Sequence, residues 1–235
     1  MAVSGIGAGS MNIGNTSHSA SGETSFPFTW THNNNGDLII VMLIDKNSSP
    51  GANGATITFN GAAFTRAIYN GDYGTTFGDA YFETYYLKNP AMGSHTLSVH
   101  PNVGTTAAAA AISVISGNEV NGKDSDVDVS GTATTVSTTP SASGAGELVI
   151  GFAVARASGS LSSLAITGGT STFTSSFTDS GFYNYIFGYL NSLSSGSGAQ
   201  TFTATWTGAA NLDAIAQAVT IKFNAGGNFF MFMPN

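Results

Sequence analysis

Residues Gly36-Asp37-Leu38-Ile39-Ile40-Val41-Met42-Leu43-Ile44 recur, in type and order, as Gly146-Glu147-Leu148-Val149-Ile150-Gly151-Phe152-Ala153-Val154. The correspondence continues along the chain. Ile57-Thr58-Phe59-Asn60-Gly61 matches Ile166-Thr167-Gly168-Gly169, and the aromatic run Tyr81 to Leu87 matches Tyr183 to Leu190. His95 to Val99 then matches Gln200 to Ala204, and Ala109 to Ile115 matches Ile215 to Ile221. An internal repeat of this length exceeds the roughly 20–50 residue period of solenoids and propellers. It demands two portions with one strand plan.

The repeated segments are strand-like. They are short runs rich in β-branched and aromatic residues, separated by Gly, Asn, Ser and Pro. The pattern predicts strands near 25–32, 37–45, 56–59, 64–70, 80–88, 95–100 and 109–116. In the second portion it predicts them near 133–138, 147–155, 164–167, 176–179, 182–191, 200–206 and 214–223. The five consecutive alanines from Ala107 favour a helix by propensity. They run into Ile112-Ser113-Val114-Ile115 and align with a strand-like partner, so they are read as a buried strand of small residues. Both alternating faces of Leu38 to Ile44 are apolar, which requires cover on both sides. The expectation is an all-β fold, a two-sheet antiparallel sandwich of jelly-roll type built from two similar halves. Residues 1–223 form one sandwich domain, with halves of about 20–117 and 130–223 that each lend strands to both sheets. The polar link 118–146 joins them, and 224–235 is an apolar C-terminal tail. Two small tandem domains are the competing arrangement.

Composition narrows the function. Charged residues make up 8% of the chain, against about 25% in ordinary globular domains. The surface is neutral and hydroxyl-rich. With six Lys and Arg and a net charge of −7, the chain has no cationic cluster with which to displace counterions from nucleic acid or to hold an anionic membrane. No cysteine is present, so disulfides and thiolate metal sites are excluded. The first residues lack the basic and apolar regions of a secretion signal, and no stretch approaches the 18 apolar residues of a membrane span. A surface-type composition without an export signal suits a virion protein, which leaves the cell by lysis.

The ordered motifs carry a resemblance. Gly-Asp-Leu-Ile-Ile-Val (36–41), Ile-Thr-Phe-Asn-Gly-Ala-Ala-Phe-Thr-Arg (57–66), Tyr85-Tyr86-Leu87, Gly-Ser-His-Thr-Leu-Ser-Val (93–99) and Ile115-Ser116-Gly117 are followed by Gly-Glu-Leu-Val-Ile (146–150) and Ala218-Val219-Thr220-Ile221-Lys222. Across residues 20–223 this series resembles a jelly-roll-like β-sandwich module of tailed-phage virion proteins, also found in some bacterial surface proteins. The resemblance implies a structural protein of a bacteriophage virion, most specifically a capsid decoration protein that binds the particle surface. It implies no catalytic residues and no cofactor. The alternative is a carbohydrate-binding or adhesive module of a tail fibre or cell surface.

Most single residues of chemical interest fit plainer roles. His18, His32, His95 and His100 show no metal-ligand clustering; His95 and His100 fall on opposite faces of one strand. Abundant serine does not establish a Ser-His-Asp arrangement, and no nucleophile elbow is present. Asp124-Ser125-Asp126-Val127-Asp128 lacks the Gly and Glu of a calcium loop and reads as a solvated acidic loop. Of the four glutamates, Glu23, Glu83, Glu119 and Glu147, the last matches Asp37 in the repeat and reads as structural. Tyr81, Phe82, Tyr85 and Tyr86, and their counterparts Phe182 to Tyr189, could offer glycans a stacking platform but fit core packing better.

The tail is the most pointed feature. After Gly226-Gly227, the residues Phe229, Phe230, Met231, Phe232 and Met233 are apolar and uncharged. Such a segment needs cover, either on its own sandwich or on a partner, for instance by strand addition. The glycine pair favours the partner. Expected partners are therefore other virion proteins, from the capsid or from neighbouring copies in a homo-oligomer.

Overall fold

The computed structural model describes residues 11–19, 22–46, 54–71, 80–102, 106–128, 135–157, 163–167, 170–178, 184–193, 197–207 and 213–223. All regular structure in them is β, and every pairing is antiparallel. The strands of the first half are β1 (Asn12–His18), β2 (Phe28–Asn34), β3 (Leu38–Lys46), β4 (Thr56–Phe59), β5 (Ala62–Ala63), β6 (Thr65–Gly71), β7 (Ala80–Lys88), β8 (Gly93–His100) and β9 (Thr106–Ile115). Those of the second half are β10 (Gly117–Asp128), β11 (Thr135–Thr138), β12 (Ser141–Ala142), β13 (Leu148–Ala157), β14 (Ser163–Thr167), β15 (Thr170–Thr178), β16 (Asn184–Leu193), β17 (Gly198–Ala199), β18 (Phe202–Thr207) and β19 (Asp213–Phe223).

The first half is a nest of paired strands. β1 pairs with β9, β2 with β8, β3 with β7 and β4 with β5. At the tip, Phe59 faces Ala62 across Asn60-Gly61, whose φ values of 48° and 80° are those of a type I′ turn. Asparagine and glycine are the residues that tolerate this geometry, so the sequence sets the tip. Successive pairs alternate between two sheets. The five-stranded sheet has the order β1-β9-β3-β7-β6 and the four-stranded sheet β2-β8-β4-β5. The second half repeats the plan, with β10-β19-β13-β16-β15 in one sheet, β11-β18-β14 in another, and a small β12-β17 pair.

The ladders among the described residues stay within 12–115 or within 117–223. The halves therefore do not lend strands to common sheets, as the sequence reading had it. They meet face to face. Leu38, Ile40, Met42 and Ile44 of β3, Phe82 of β7 and Ala108, Ala110, Ile112 and Val114 of β9 share one buried cluster with Leu148, Ile150 and Phe152 of β13 and Ile215, Val219 and Ile221 of β19. The opposite face of β3, Ile39, Val41 and Leu43, packs with Phe28, Ile57, Phe59, Leu97 and Val99 inside the first half. This explains why β3 is apolar on both faces: it is a central strand of an inner layer. It also explains the alanine run, which adopts strand conformation because both faces are covered, overriding helix propensity.

A buried polar side chain bridges the seam between the two five-stranded sheets, and at its exposed rim Lys88 of β7 pairs with Glu119 of β10. Gln217 of β19 is fully buried; its Nε2 donates to the Phe82 carbonyl at 2.6 Å, and its Oε1 accepts from Thr84 Oγ1 at 2.7 Å. Replacing Gln217 with alanine strands both partners in an apolar layer. Gln217→Ala should lower unfolding stability by about 2–3 kcal/mol in urea titration, whereas a substitution at an exposed position such as Asn102→Ala should change it by about 0.5 kcal/mol or less.

Besides the two-residue strands β5, β12 and β17, two longer strands escaped the sequence reading, β1 and β10. They occupy the same place in their halves, at the edge of each five-stranded sheet beside the last strand. Asn118 onward is thus a strand and not a link, and Asp124 to Asp128 lies on β10 and not in a loop. Edge strands need only one covered side, so their composition is polar: Asn-Ile-Gly-Asn-Thr-Ser-His in β1 and Gly-Asn-Glu-Val-Asn-Gly-Lys-Asp at the start of β10.

Candidate functional site

The expected partner-binding residues Phe229, Phe230, Met231, Phe232 and Met233 lie outside the described residues. Among those that are described, chemistry-bearing side chains gather in two places, both in the first half.

The first is a chain of hydrogen bonds beneath β1 and β2. Trp30 Nε1 donates to Ser17 Oγ at 2.8 Å, and Ser17 Oγ meets His32 Nδ1 at 2.8 Å. His32 Nε2 meets Ser113 Oγ at 2.9 Å, and Ser113 donates to Asn34 Oδ1 at 2.7 Å. Because Ser113 gives its proton to Asn34, it accepts from His32 Nε2–H. His32 Nδ1 is then the acceptor for Ser17, and the ring is neutral. Burial agrees, lowering the His32 pKa to about 4. Every member is satisfied, so the chain locks β1 and β2 onto β9. As a nucleophile–base pair it is poorly set: the base is too weak at neutral pH and the serine is already accepting from tryptophan.

The second is an acid cluster inside the first half. Asp45 on β3 and Glu83 on β7 are each 3% exposed. Tyr85 donates its hydroxyl to Glu83 Oε2 at 2.5 Å, and Arg66 Nη1 lies 3.4 Å from the same oxygen. The Ala55 amide donates to the Tyr85 oxygen at 2.8 Å, and the Arg66 guanidinium rests over the Tyr69 ring. Burial pushes the Glu83 pKa up, while Tyr85 and Arg66 draw it back. Burial, with the Glu83 charge added, raises Asp45 to about 7. Burial and the same carboxylate raise the Tyr85 phenol. The Asp45 Oδ1 atom is buried and has no hydrogen-bond partner.

Sequence reasoning noted Glu83 only as one of few glutamates and passed over Asp45. A signal was available. Each is a lone carboxylate in an otherwise apolar or aromatic strand, Leu-Ile-Ile-Val-Met-Leu-Ile-Asp and Ala-Tyr-Phe-Glu-Thr-Tyr-Tyr.

The remaining candidates take structural places. His18 donates Nδ1 to the Ser19 carbonyl, His95 approaches the Met92 carbonyl and packs edge-on against Phe59, and His100 is exposed. His32 and His95 face each other across β2 and β8 and both pack against Phe59, but no group of three or more metal-ligating side chains occurs among the described residues. Asp124 accepts from Thr138 Oγ1 at 2.8 Å and from the Thr139 amide at 2.7 Å. Slight burial raises its pKa, but these bonds outweigh it and hold the carboxyl below its ordinary value. Glu147 is bound by Asn121 Nδ2 and by the Ser143 hydroxyl, and its repeat counterpart Asp37 accepts from the Ser116 amide. Glu147 thus ties the start of β13 to the edge strand β10, and Asp37 ties the start of β3 to the turn that follows β9. Tyr81, Phe82 and Tyr85 are buried and Tyr86 partly so, which is the core placement expected of them. The side chains of 182–189 lie outside the described set. A shallow open recess of about 320 Å³ lies where β6 meets β10, lined by Ala67, Ile68, Tyr69, Lys123, Asp124 and Ser125.

Compared with known families, with curated proteins and with solved structures, the chain matches none.

Proposed function

We propose that the protein is a structural component of a bacteriophage virion, a decoration protein that seats on the capsid surface and associates with neighbouring copies. The observation that carries this reading is the nested strand order. A long antiparallel hairpin whose pairs β1–β9, β2–β8, β3–β7 and β4–β5 alternate between two sheets supports a jelly-roll reading, an architecture used by viral capsid proteins and lectins. The second half follows with β10–β19, β11–β18 and β13–β16. Two such units joined through a largely apolar seam, with a neutral, hydroxyl-rich composition, suit a block that stands on a particle.

The apolar tail, Phe229 to Met233, supplies the attachment. Removing residues 228–235 should abolish self-association in analytical ultracentrifugation and binding to capsids in co-sedimentation, with the unfolding midpoint unchanged. Retained association, or a lowered unfolding midpoint, would show that the tail covers its own sandwich and would sink this reading of it. Binding to a glycan array by the tailless protein would favour the carbohydrate-binding alternative.

A further inference from the structure

Asp45 Oδ1 is the only buried side-chain nitrogen or oxygen without a hydrogen-bond partner among the described residues. Such atoms are few in folded proteins, and an unseen water or ion is a usual reason for them. The donors of the cluster serve Glu83 and not Asp45: the Tyr85 hydroxyl and Arg66 Nη1 both go to Glu83 Oε2.

The ladder brings the two carboxylates together. Leu43 faces Glu83 and Asp45 faces Tyr81, so Asp45 and Glu83 are diagonal neighbours on one face of adjacent strands. Diagonal Cβ atoms are about 7–8 Å apart or a little less, a span that two carboxylates reaching inward can bridge through one ion. Two buried carboxylates stand against one guanidinium, that of Arg66.

We propose that Asp45 and Glu83 hold a divalent cation, of the calcium class, inside the first half. The donors are hard oxygens, with no histidine among them, which disfavours zinc and copper. Calcium accepts irregular oxygen sets completed by water, whereas magnesium demands a near-octahedral one.

The test uses the full-length protein freed of metal with a chelator and dialysed. Calcium titration should give saturable heat at one equivalent and an unfolding midpoint that climbs with the logarithm of calcium concentration. Terbium, as a calcium probe, should emit on excitation through tyrosine, since Tyr81 and Tyr85 adjoin the pair. Asp45→Asn, a neutral near-isostere, should weaken calcium binding at least tenfold and remove the terbium emission. Glu83→Gln should do the same, and the exposed Glu119→Gln should do neither. Absence of saturable binding up to about 10 mM, beyond the range of weak extracellular calcium modules, would overturn the proposal. So would binding that survives in Asp45→Asn.

Discussion

Asp45→Asn should make the metal-free protein more stable at pH 8, by about 3–4 kcal/mol. The carboxyl has a pKa near 3.8 when solvated and about 7 when folded, chiefly because burial disfavours its charge and secondarily because Glu83 lies beside it. Below pH 3.8 both states hold the proton and Asp45 contributes no pH dependence. Between 3.8 and 7 the unfolded chain releases it while the folded protein keeps it. Stability therefore falls as pH rises through this window and levels off above 7. A separation of this size corresponds to about 4 kcal/mol at most. The asparagine variant carries no such term. The difference between variant and wild type in urea unfolding, with chelator present, should be near zero at pH 3.5, grow from pH 4 to 7, and then stay flat. A difference independent of pH would mean that Asp45 keeps its charge satisfied in the folded state.

The second large effect is at the seam. Phe82 is fully buried on β7 and belongs to the cluster that joins the two five-stranded sheets. Phe82→Ala should cost about 3–5 kcal/mol through lost burial and the cavity left behind. Phe59→Ala should cost a similar amount, but Phe59 lies in the cluster confined to the first half. The two differ in where the loss falls. Hydrogen exchange should quicken on both sides of the seam, in β3 and in β13 and β19, for Phe82→Ala. For Phe59→Ala it should quicken mainly in the first half. Identical exchange maps would mean that the seam does not couple the halves.

Much of this was legible in the residues. The repeat at Leu38 and Leu148 marks equivalent strands: Leu38 faces Val114, and Leu148 faces Ile221. Apolarity on both faces of β3 correctly required cover on both sides. It left open whether that cover came from exchanged strands or stacked sheets, because either satisfies the same hydrophobic pattern. β1 and β10 were hidden because an edge strand with one wet face lacks the β-branched runs that announce a central one. The repeat also conceals different causes at equal positions. Gly146 has a φ of 82°, which glycine tolerates. At Gly36 a Cβ would come within 2.6 Å of the Val114 carbonyl oxygen, so close approach of two backbones is what requires it. The acid cluster was least visible, since proximity across β3 and β7 depends on register, and register is a property of the pairing rather than of either strand alone.

The nested pairing has a kinetic consequence. Thr58 and Ala63 meet across a tight turn, whereas Asn12 must find Ile115 at the other end of the half. Closing the long loop first would incur the largest entropic penalty, while closing the tip first leaves each later pair only a short search. Folding of each half should then spread outward from its tip, with β1 and β10 docking last. The strands that add last are bound along one side only, so in the folded protein they should also be the first to open and exchange their amides with water.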